Sequence, residues 1–443
     1  MFSAFVLFLW FQLAWAAPYC SLKPRDAVSS SSTPSSSTGG VSPSNGSLAG
    51  NGTFVATAWY AAWHSSDYTL SDVSWSKYTS MIYAFATTTA DVNTIGLASS
   101  DEELLPQFVQ TAQQNDVMAI LSIGGWTGSM YFSPAVATAE NRSAFAKAVM
   151  GVVDKYNLDG VEFDWEYPNK QGIGCNALSP NDSANFLSFL QELRSMDGGQ
   201  SLVLSAAVSV TPFAGADGTP MTDVSDFAQV LDFIEVMNYD IWGSWSPTVG
   251  PNAPLDDSCA PVQDGSATSA VKTWTAAGFP ADQILLGVAS YGHSFHVDKT
   301  AALTSSNAIS LYPTFDKSQQ PAGDSWDGTA GGVDQCGNPN VAGGVFDFWG
   351  LIQGGFLTAN GTVASGIDYT FDNCSQTPYV YNPTSQVMVS YDDATSFAAK
   401  GKFISDSGLA GFAMWEAGGD SKDILLNSIS GAMGIDAEDC DSS

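Results

Sequence analysis

Basic residues are scarce in this chain. Its 443 residues include 14 Lys and Arg against 45 Asp and Glu, which gives a formal net charge of −31 at pH 7. So few cations cannot neutralise a phosphate backbone, and we therefore expect no nucleic acid partner. The same excess of negative charge disfavours binding to an anionic membrane surface. A neutral polymer or a cationic partner is compatible with this composition.

Several motifs are also absent. The sequence has no Gly-x-Ser-x-Gly elbow, no Gly-x-Gly-x-x-Gly turn and no Lys of a phosphate-binding loop, which disfavours serine hydrolase and nucleotide chemistry. No cysteines are spaced as Cys-x-x-Cys, and His64, His293 and His296 lie far from the cysteines in sequence. We therefore predict no zinc site, no other metal and no cofactor.

The two ends of the chain differ from its middle. Residues 1–16 are predicted to be a secretory signal peptide, because a short apolar stretch precedes a small-x-small cleavage pattern. Residues 17–52, rich in Ser, Gly, Pro and Thr, are predicted to be a flexible linker, and 434–443 an acidic tail. Six N-glycosylation sequons occur, at Asn45, Asn51, Asn141, Asn181, Asn360 and Asn373. We therefore predict a secreted, extracellular glycoprotein.

Export makes the six cysteines candidates for disulfides. We predict a bond between Cys336 and Cys374, because both fall in one predicted insertion. A second expected bond joins Cys175 to Cys259, since both lie in loops that follow strand ends. The two remaining cysteines lie in the tails, where they either pair or stay free.

Residues 53–433 contain eight short apolar runs that alternate with amphipathic segments. The runs are 55–63, 80–86, 117–124, 160–165, 202–210, 233–239, 284–291 and 408–415. Near-continuously apolar strands that alternate with helices predict a parallel sheet covered by helices. Eight such units favour an α/β fold of the (β/α)8 TIM barrel type over an open sheet. The unit between the seventh and eighth runs is too long for one helix, so we predict a small α+β insertion over residues 293–386.

The fourth run carries three acids on one face. Glu162, Asp164 and Glu166 alternate with apolar residues, and this period of two places their carboxyls on the same side of a strand. On an exposed strand such a face would meet water, but barrel strands are buried on both sides. Three like charges in an enclosed space cannot all stay ionised, so at least one pKa should be raised. Glycosidic bond cleavage requires a protonated acid of this kind.

Aromatic residues recur at the predicted strand ends. They are Trp59, Tyr60, Trp63, Trp126, Tyr239, Trp242, Trp245, Tyr291 and Trp415. A single aromatic residue is more often part of a core, but many at one end of a barrel indicate a binding cleft. Because aromatic faces stack on the apolar C–H faces of sugar rings, the pattern predicts a sugar-binding cleft.

In these residues the chain resembles the family 18 glycoside hydrolases, the chitinases and their relatives, over about residues 55–433. The family signature Asp-x-x-Asp-x-Asp-x-Glu corresponds to the segment from Asp159 to Glu166. Further matching elements are Ser122, Gly124 and Gly125, then Met237, Tyr239 and Asp240, then Tyr291 with Gly292, and Trp415. The chain departs from the pattern at Glu162, where the family usually has Asp, and at His293, where Arg is common.

The resemblance implies substrate-assisted, retaining hydrolysis of β-1,4-linked N-acetylglucosamine polymers through an oxazolinium intermediate. Glu166 would be the general acid and base, and Asp164 would orient the acetamido group. Glu162 would share the proton of Asp164, and Tyr239 would hydrogen-bond the acetamido oxygen. Separately, the acidic composition predicts an acidic pH optimum, because raising the pH would ionise Glu166 and the rest of the cleft together.

The expected substrate contacts are Trp59, Tyr60, Trp126, Tyr167, Met237, Asp240, Trp245, Tyr291, His293 and Trp415, the last forming the floor of the cleft. Asp159 has the opposite strand parity, which leaves both a structural and a catalytic role open. Two other functions remain open, an endo-β-N-acetylglucosaminidase acting on N-glycans and a non-catalytic chitin-binding lectin. We expect a monomer that binds chitin or chitooligosaccharides.

Overall fold

The fold is a closed barrel of eight parallel strands, seen in a computed structural model that describes residues 23–24, 54–328 and 331–436. Numbered in chain order, the barrel strands are β2 (Val55–Ala61), β3 (Ser80–Ala86), β4 (Met118–Gly124), β5 (Gly160–Asp164), β6 (Val203–Val208), β7 (Phe233–Val236), β8 (Ile284–Ala289) and β14 (Gly411–Trp415). Each predicted apolar run contains one of these strands. The predicted (β/α)8 TIM barrel is confirmed.

Alternation along the strands separates two apolar layers. Inward side chains such as Val55, Ile120, Phe233 and Leu285 fill the barrel interior. Outward side chains pack against the surrounding helices in a larger cluster. Both faces of the strands are therefore dry, which is why the runs are almost continuously apolar.

Helices surround the barrel, except α8 and α9, which lie in the insertion. In chain order the helices are α1 (Asp101–Gln114), α2 (Gly125–Gly128), α3 (Phe132–Val136), α4 (Ala139–Tyr156), α5 (Asp182–Ser195), α6 (Ser225–Ala228), α7 (Ala267–Ala276), α8 (Lys299–Ala302), α9 (Phe348–Gln353), α10 (Ala394–Asp406) and α11 (Ile424–Met433). Local signals set their ends. The Thr138 side chain accepts a hydrogen bond from the N–H of Asn141 at the start of α4. Asn157, with a φ of 56°, ends that helix in the left-handed conformation.

The insertion follows the seventh barrel strand directly. It contains a five-stranded antiparallel sheet in the order β10-β9-β13-β12-β11. Its strands are β9 (Tyr291–His296), β10 (Val345–Asp347), β11 (Asp368–Asp372), β12 (Thr377–Asn382) and β13 (Val387–Ser390). The short helices α8 and α9 lie between β9 and β11 in sequence. The insertion thus spans slightly more of the chain than the predicted 293–386.

The predicted disulfide pairs are wrong. The bonds join Cys175 to Cys336 and Cys259 to Cys374. Each bond ties a loop of the barrel to the insertion, whereas the prediction kept one bond inside the insertion. Closeness in sequence was misleading because the two insertion cysteines lie in different loops that face different parts of the barrel. Cys20 and Cys440 lie outside the described residues.

The two short terminal segments that the structure describes pair with each other. Lys23–Pro24 (β1) pairs antiparallel with Ile435–Asp436 (β15), so a short sheet occurs within the segments predicted as linker and acidic tail. The predicted signal peptide lies outside the described residues, as do the sequons at Asn45 and Asn51. Among the residues described here, no helix combines the length and the apolar character needed to cross a bilayer.

Candidate active site

A cleft of about 1150 Å³ opens at the carboxy-terminal mouth of the barrel. The barrel loops form its floor and one side, and the insertion forms the opposite wall through residues such as Trp326, Asp327 and Val345. Barrel enzymes hold their chemistry at this end, because loops from all eight strands converge there. The predicted residues Trp126, Glu166, Tyr167, Met237, Tyr239, Asp240, Trp245, Tyr291, His293 and Trp415 all line this cleft.

Three acidic residues follow one another along one face of β5 and its end, and the last of them lies at the cleft. The side chains of Glu162 and Asp164 are buried inside the barrel, and Glu166 lies just beyond the strand with 8% of its surface exposed. Ser129 holds this strand end, because its hydroxyl donates to the carbonyl of Asp164 at 2.9 Å and accepts from the N–H of Glu166 at 3.0 Å. The amide of Asn176 also donates to the Glu166 carbonyl, at 2.8 Å. The backbone of Glu166 is thus fixed from two sides.

Burial raises the pKa values of these acids well above those of free carboxyl groups. Burial raises the pKa of Asp164 to about 7. The pKa of Glu166 is raised well above 4.5, first by burial and then by the charge of Asp164, while a hydrogen bond from Tyr167 lowers it in part. Burial and the neighbouring charge of Glu235 do the same to the pKa of Glu162. Glu166 therefore keeps its proton up to a higher pH than a free glutamate does, in the direction that the alternating acids predicted.

Trp59 and Tyr60 do not line the cleft, which corrects their prediction as substrate contacts. Trp59 is 1% exposed and lies inside the barrel, where its indole N–H donates to the Glu162 carboxylate at 3.3 Å. Tyr60 faces outward and its hydroxyl donates to the carbonyl of Tyr68 at 3.0 Å. Consecutive strand residues point to opposite faces, so the two could never have shared one site.

Tyr239 and Asp240 follow β7 at the mouth. Tyr239 is nine-tenths buried, and burial together with the charge of Asp164 raises its pKa well above 10. Its hydroxyl therefore stays neutral and can donate a hydrogen bond. Asp240 Oδ1 accepts from the Tyr291 hydroxyl at 2.8 Å and lies 2.7 Å from His293 Nε2. Asp240 therefore links the loop after β7 to strand β9 of the insertion.

Aromatic rings line the cleft at several depths. Trp415 lies near its base, stacked on Phe85 with ring centroids 5.6 Å apart. Trp126 and Trp245 are 50% and 57% exposed, so their faces are free to stack on a ligand. Trp245 also meets His293 edge to face at 5.2 Å. This arrangement suits a chain of sugar rings.

The cleft also has lining residues that were not among the predicted site residues, including Trp63, His64, Trp326 and Glu416. Trp63 ends the first apolar run, so the sequence did carry a signal for it. His64 and Trp326 stack face to face with centroids 3.9 Å apart although 262 positions separate them, so no local pattern could have joined them.

Two further acids contribute to the surroundings of the site. Glu235 points into the barrel from β7 and is fully buried. The sequence feature that could have indicated it is a single acid within an apolar run. Asp159 lies at the opposite end of β5, where its carboxylate accepts from the N–H of Ala119 at 2.9 Å. That contact gives Asp159 a structural role. Within the described residues, no group of three or more His, Cys, Asp or Glu side chains could hold a metal ion.

Comparison with known proteins agrees with this geometry. Residues 56–420 match the family described as Glycosyl hydrolases family 18. The chain belongs to this family.

Three family 18 relatives illustrate the range of similarity. A "chitinase-like effector" of Moniliophthora roreri is 51% identical over 85% of this chain and 92% of that protein. "Chitinase A1" of Niallia circulans is 30% identical over 71% of this chain and 42% of that protein. The crystal structure of a chitinase from Rhizomucor miehei superimposes with a TM-score of 0.76 at 32% identity, covering 85% of this chain and 99% of that one.

Proposed function

We propose that this family 18 member is a secreted chitinase that hydrolyses β-1,4-linked N-acetylglucosamine polymers with retention. One observation carries the proposal: Glu166 lies buried in the cleft with a raised pKa, two residues beyond Asp164 at the end of β5, and Tyr239 lines the same cleft. This set combines a proton donor, a buried acid and a neutral hydroxyl donor around one point.

In the proposed reaction Glu166 donates its proton to the glycosidic oxygen as the bond to the anomeric carbon breaks. The substrate's own acetamido oxygen attacks that carbon and forms an oxazolinium ion. Asp164 orients the acetamido N–H and offsets the developing positive charge, with Glu162 sharing its proton. Tyr239 donates to the acetamido oxygen and keeps it in line. Glu166 then removes a proton from water, which attacks the same carbon and opens the ring.

The walls of the cleft support an uncharged polysaccharide. The described residues that line it include no Lys and no Arg, so an anionic polymer would find no counter-charge. Trp126 and Trp245 are the proposed platforms for neighbouring sugars, and Trp415 the floor beneath the cleaved one. Tyr167, Met237, Asp240, Tyr291 and His293 are proposed to contact the same substrate.

Export from the cell is part of the proposal. The two disulfides between barrel and insertion suit an oxidising compartment. The apolar segment in residues 1–16 is the proposed signal peptide, and the sequons are proposed glycosylation sites. Asn181, Asn360 and Asn373 are exposed and accessible to modification. We propose that the secreted protein acts as a monomer.

The test compares wild type with Glu166→Gln on a fluorogenic chitotrioside and on chitin oligomers. The Gln variant should lose about 100-fold or more in kcat, because it cannot donate the proton. Glu192→Gln on α5 is the matched control, since this glutamate lies on the outer helices and should keep wild-type turnover. Near-normal hydrolysis by Glu166→Gln would end the proposal. Early β-anomeric products would support retention.

Chitin binding without cleavage is a second candidate, favoured by the name "chitinase-like effector" of the relative at 51% identity. It predicts that wild type and Glu166→Gln bind chitin oligomers equally well and that neither cleaves them. Turnover by the wild-type chain decides against it. Glycan release from a glycoprotein in the same series would instead favour an endo-β-N-acetylglucosaminidase.

A further inference from the structure

One segment of the insertion reaches the far side of the barrel mouth. Residues 331–343, which we call the cross-mouth hairpin, lie shortly before β10. The N–H of Asp334 donates to the carbonyl of Asn338 at 2.8 Å, and Val333 pairs antiparallel with Pro339. The segment is therefore a hairpin that is held in shape by its own backbone hydrogen bonds.

The tip of the cross-mouth hairpin is attached to the barrel at two points. Cys336 forms the disulfide with Cys175, which lies in the loop after β5. The side-chain amide of Gln335 donates to the carbonyl of Thr127, in the helix α2 that follows β4, at 2.8 Å. One attachment is covalent and the other is a hydrogen bond to the backbone, so the tip is held to the loops of two neighbouring strands.

The order of strands in the barrel shows that the hairpin crosses the mouth. Its base belongs to the insertion, which begins directly after β8. Around the closed barrel, β4 is the fourth strand from β8 in either direction, and β5 is likewise opposite β14. The hairpin therefore joins opposite sides of the ring. The bond between Cys259 and Cys374 does not cross, because Cys259 follows β7, which is next to β8.

The cleft extends to both sides of the cross-mouth hairpin. Its residues Val341, Ala342 and Gly343 line the cleft. So do Trp63, which follows β2, and Trp245, which follows β7, and these two strands lie on opposite sides of the line from β8 to β4. The two indoles are 55% and 57% exposed. A sugar chain that stacks on both of them must run beneath the hairpin.

We propose that the cross-mouth hairpin makes the cleft a closed passage, so that the enzyme takes a chitin chain by a free end and not at an internal bond. The inference rests on the proposed function and adds which part of the polymer the site accepts. Protein surrounds the passage on all sides, and the Cys175–Cys336 bond completes this ring. A chain end can thread through such a ring, whereas the middle of a long chain could enter only if the ring opened.

The experiment uses a soluble chitin chain that carries biotin at both ends and is long enough to project from both ends of the cleft. Release of new reducing ends is measured with and without streptavidin on the two biotins, because a bound streptavidin is too large to thread. Wild type should cleave the capped chain at least about tenfold more slowly than the uncapped chain. Glu166→Gln should bind the capped chain more weakly by a similar factor, in a readout that does not depend on turnover.

Two variants assign the effect to the hairpin. The triple variant Cys175→Ser, Cys336→Ser and Gln335→Ala removes both attachments of the tip. Its ratio of uncapped to capped rates should fall close to one, whatever its absolute kcat. The matched control, Cys259→Ser with Cys374→Ser, loses the disulfide that does not cross the mouth, and it should keep the wild-type ratio.

The outcomes separate this inference from the proposed function. Equal cleavage of the two chains by wild type overturns the closed passage and leaves the chitinase intact. A triple variant that keeps the wild-type ratio also overturns the inference, because something other than the hairpin would then exclude the capped chain. If the triple variant does not fold, the wild-type ratio decides alone. If wild type cleaves neither chain, the proposed function fails, and equal binding of the two chains would overturn the passage as well.

Discussion

The disulfide between Cys175 and Cys336 should matter for both stability and activity. Cys175 belongs to the loop that follows Glu166, and Cys336 belongs to the insertion. In that loop Asn176 donates to the Glu166 carbonyl, and Gly172 lies so close to the same carbonyl that a Cβ would fall 2.3 Å from it. Release of this loop should therefore loosen the position of Glu166.

The second disulfide provides a matched comparison. Cys175–Cys336 closes 161 residues and Cys259–Cys374 closes 115. Chain-entropy arguments give a ceiling of about 5 kcal/mol for each, with a difference of only about 0.3 kcal/mol. Replacing either pair by serines should thus lower the free energy of unfolding by similar amounts. Only the Cys175–Cys336 variant should lose turnover, because the other bond lies away from Glu166.

Urea unfolding and chitotrioside hydrolysis measure the two effects separately. Peptide mapping of the oxidised protein checks the pairing itself. Equal kcat in the two double variants would refute the reasoning, since it would mean that the loop holds Glu166 without its disulfide. A stability difference of several kcal/mol between them would refute the entropic argument.

Three further predictions test other parts of the molecule. Tyr239→Phe should lower kcat by about 100-fold with little change in KM, because a donor to the acetamido oxygen is lost; an unchanged kcat would exclude that contact. Lys400→Met should lower the free energy of unfolding by about 3–5 kcal/mol, since Lys400 Nζ lies 2.6 Å from Asp392 Oδ2 and both side chains are buried. In urea unfolding, the double variant Lys400→Met with Asp392→Asn should recover most of this loss of stability. If the single and double variants lose the same stability, the ion pair does not contribute as argued. Stability should also fall as pH rises from about 4 through 7, because Asp164 is protonated in the folded chain up to a pKa of about 7 but ionised in the unfolded chain above 3.8. This group alone contributes at most about 4 kcal/mol, all of it present at low pH, and a melting temperature that rises over this range would contradict the assignment.

Local periodicity was enough to predict the barrel and its acids. The apolar runs depend on burial of both strand faces, and the alternation in residues 160–166 fixes which side chains share a face. These are properties of neighbours in sequence. The same rule, applied one residue further, would have excluded Tyr60 from the cleft, because it follows an inward-facing Trp59.

The sequence by itself determined the (β/α)8 architecture, the direction in which Glu162 and Asp164 point, and the aromatic character of the mouth. Only the tertiary structure decided the disulfide partners, the stacking of His64 on Trp326 and the meeting of Glu235 with the acids of β5. The physical reason is the separation in sequence of the residues that interact. Strand and helix patterns repeat within a few residues, whereas these contacts depend on how loops and strand registers bring distant residues together.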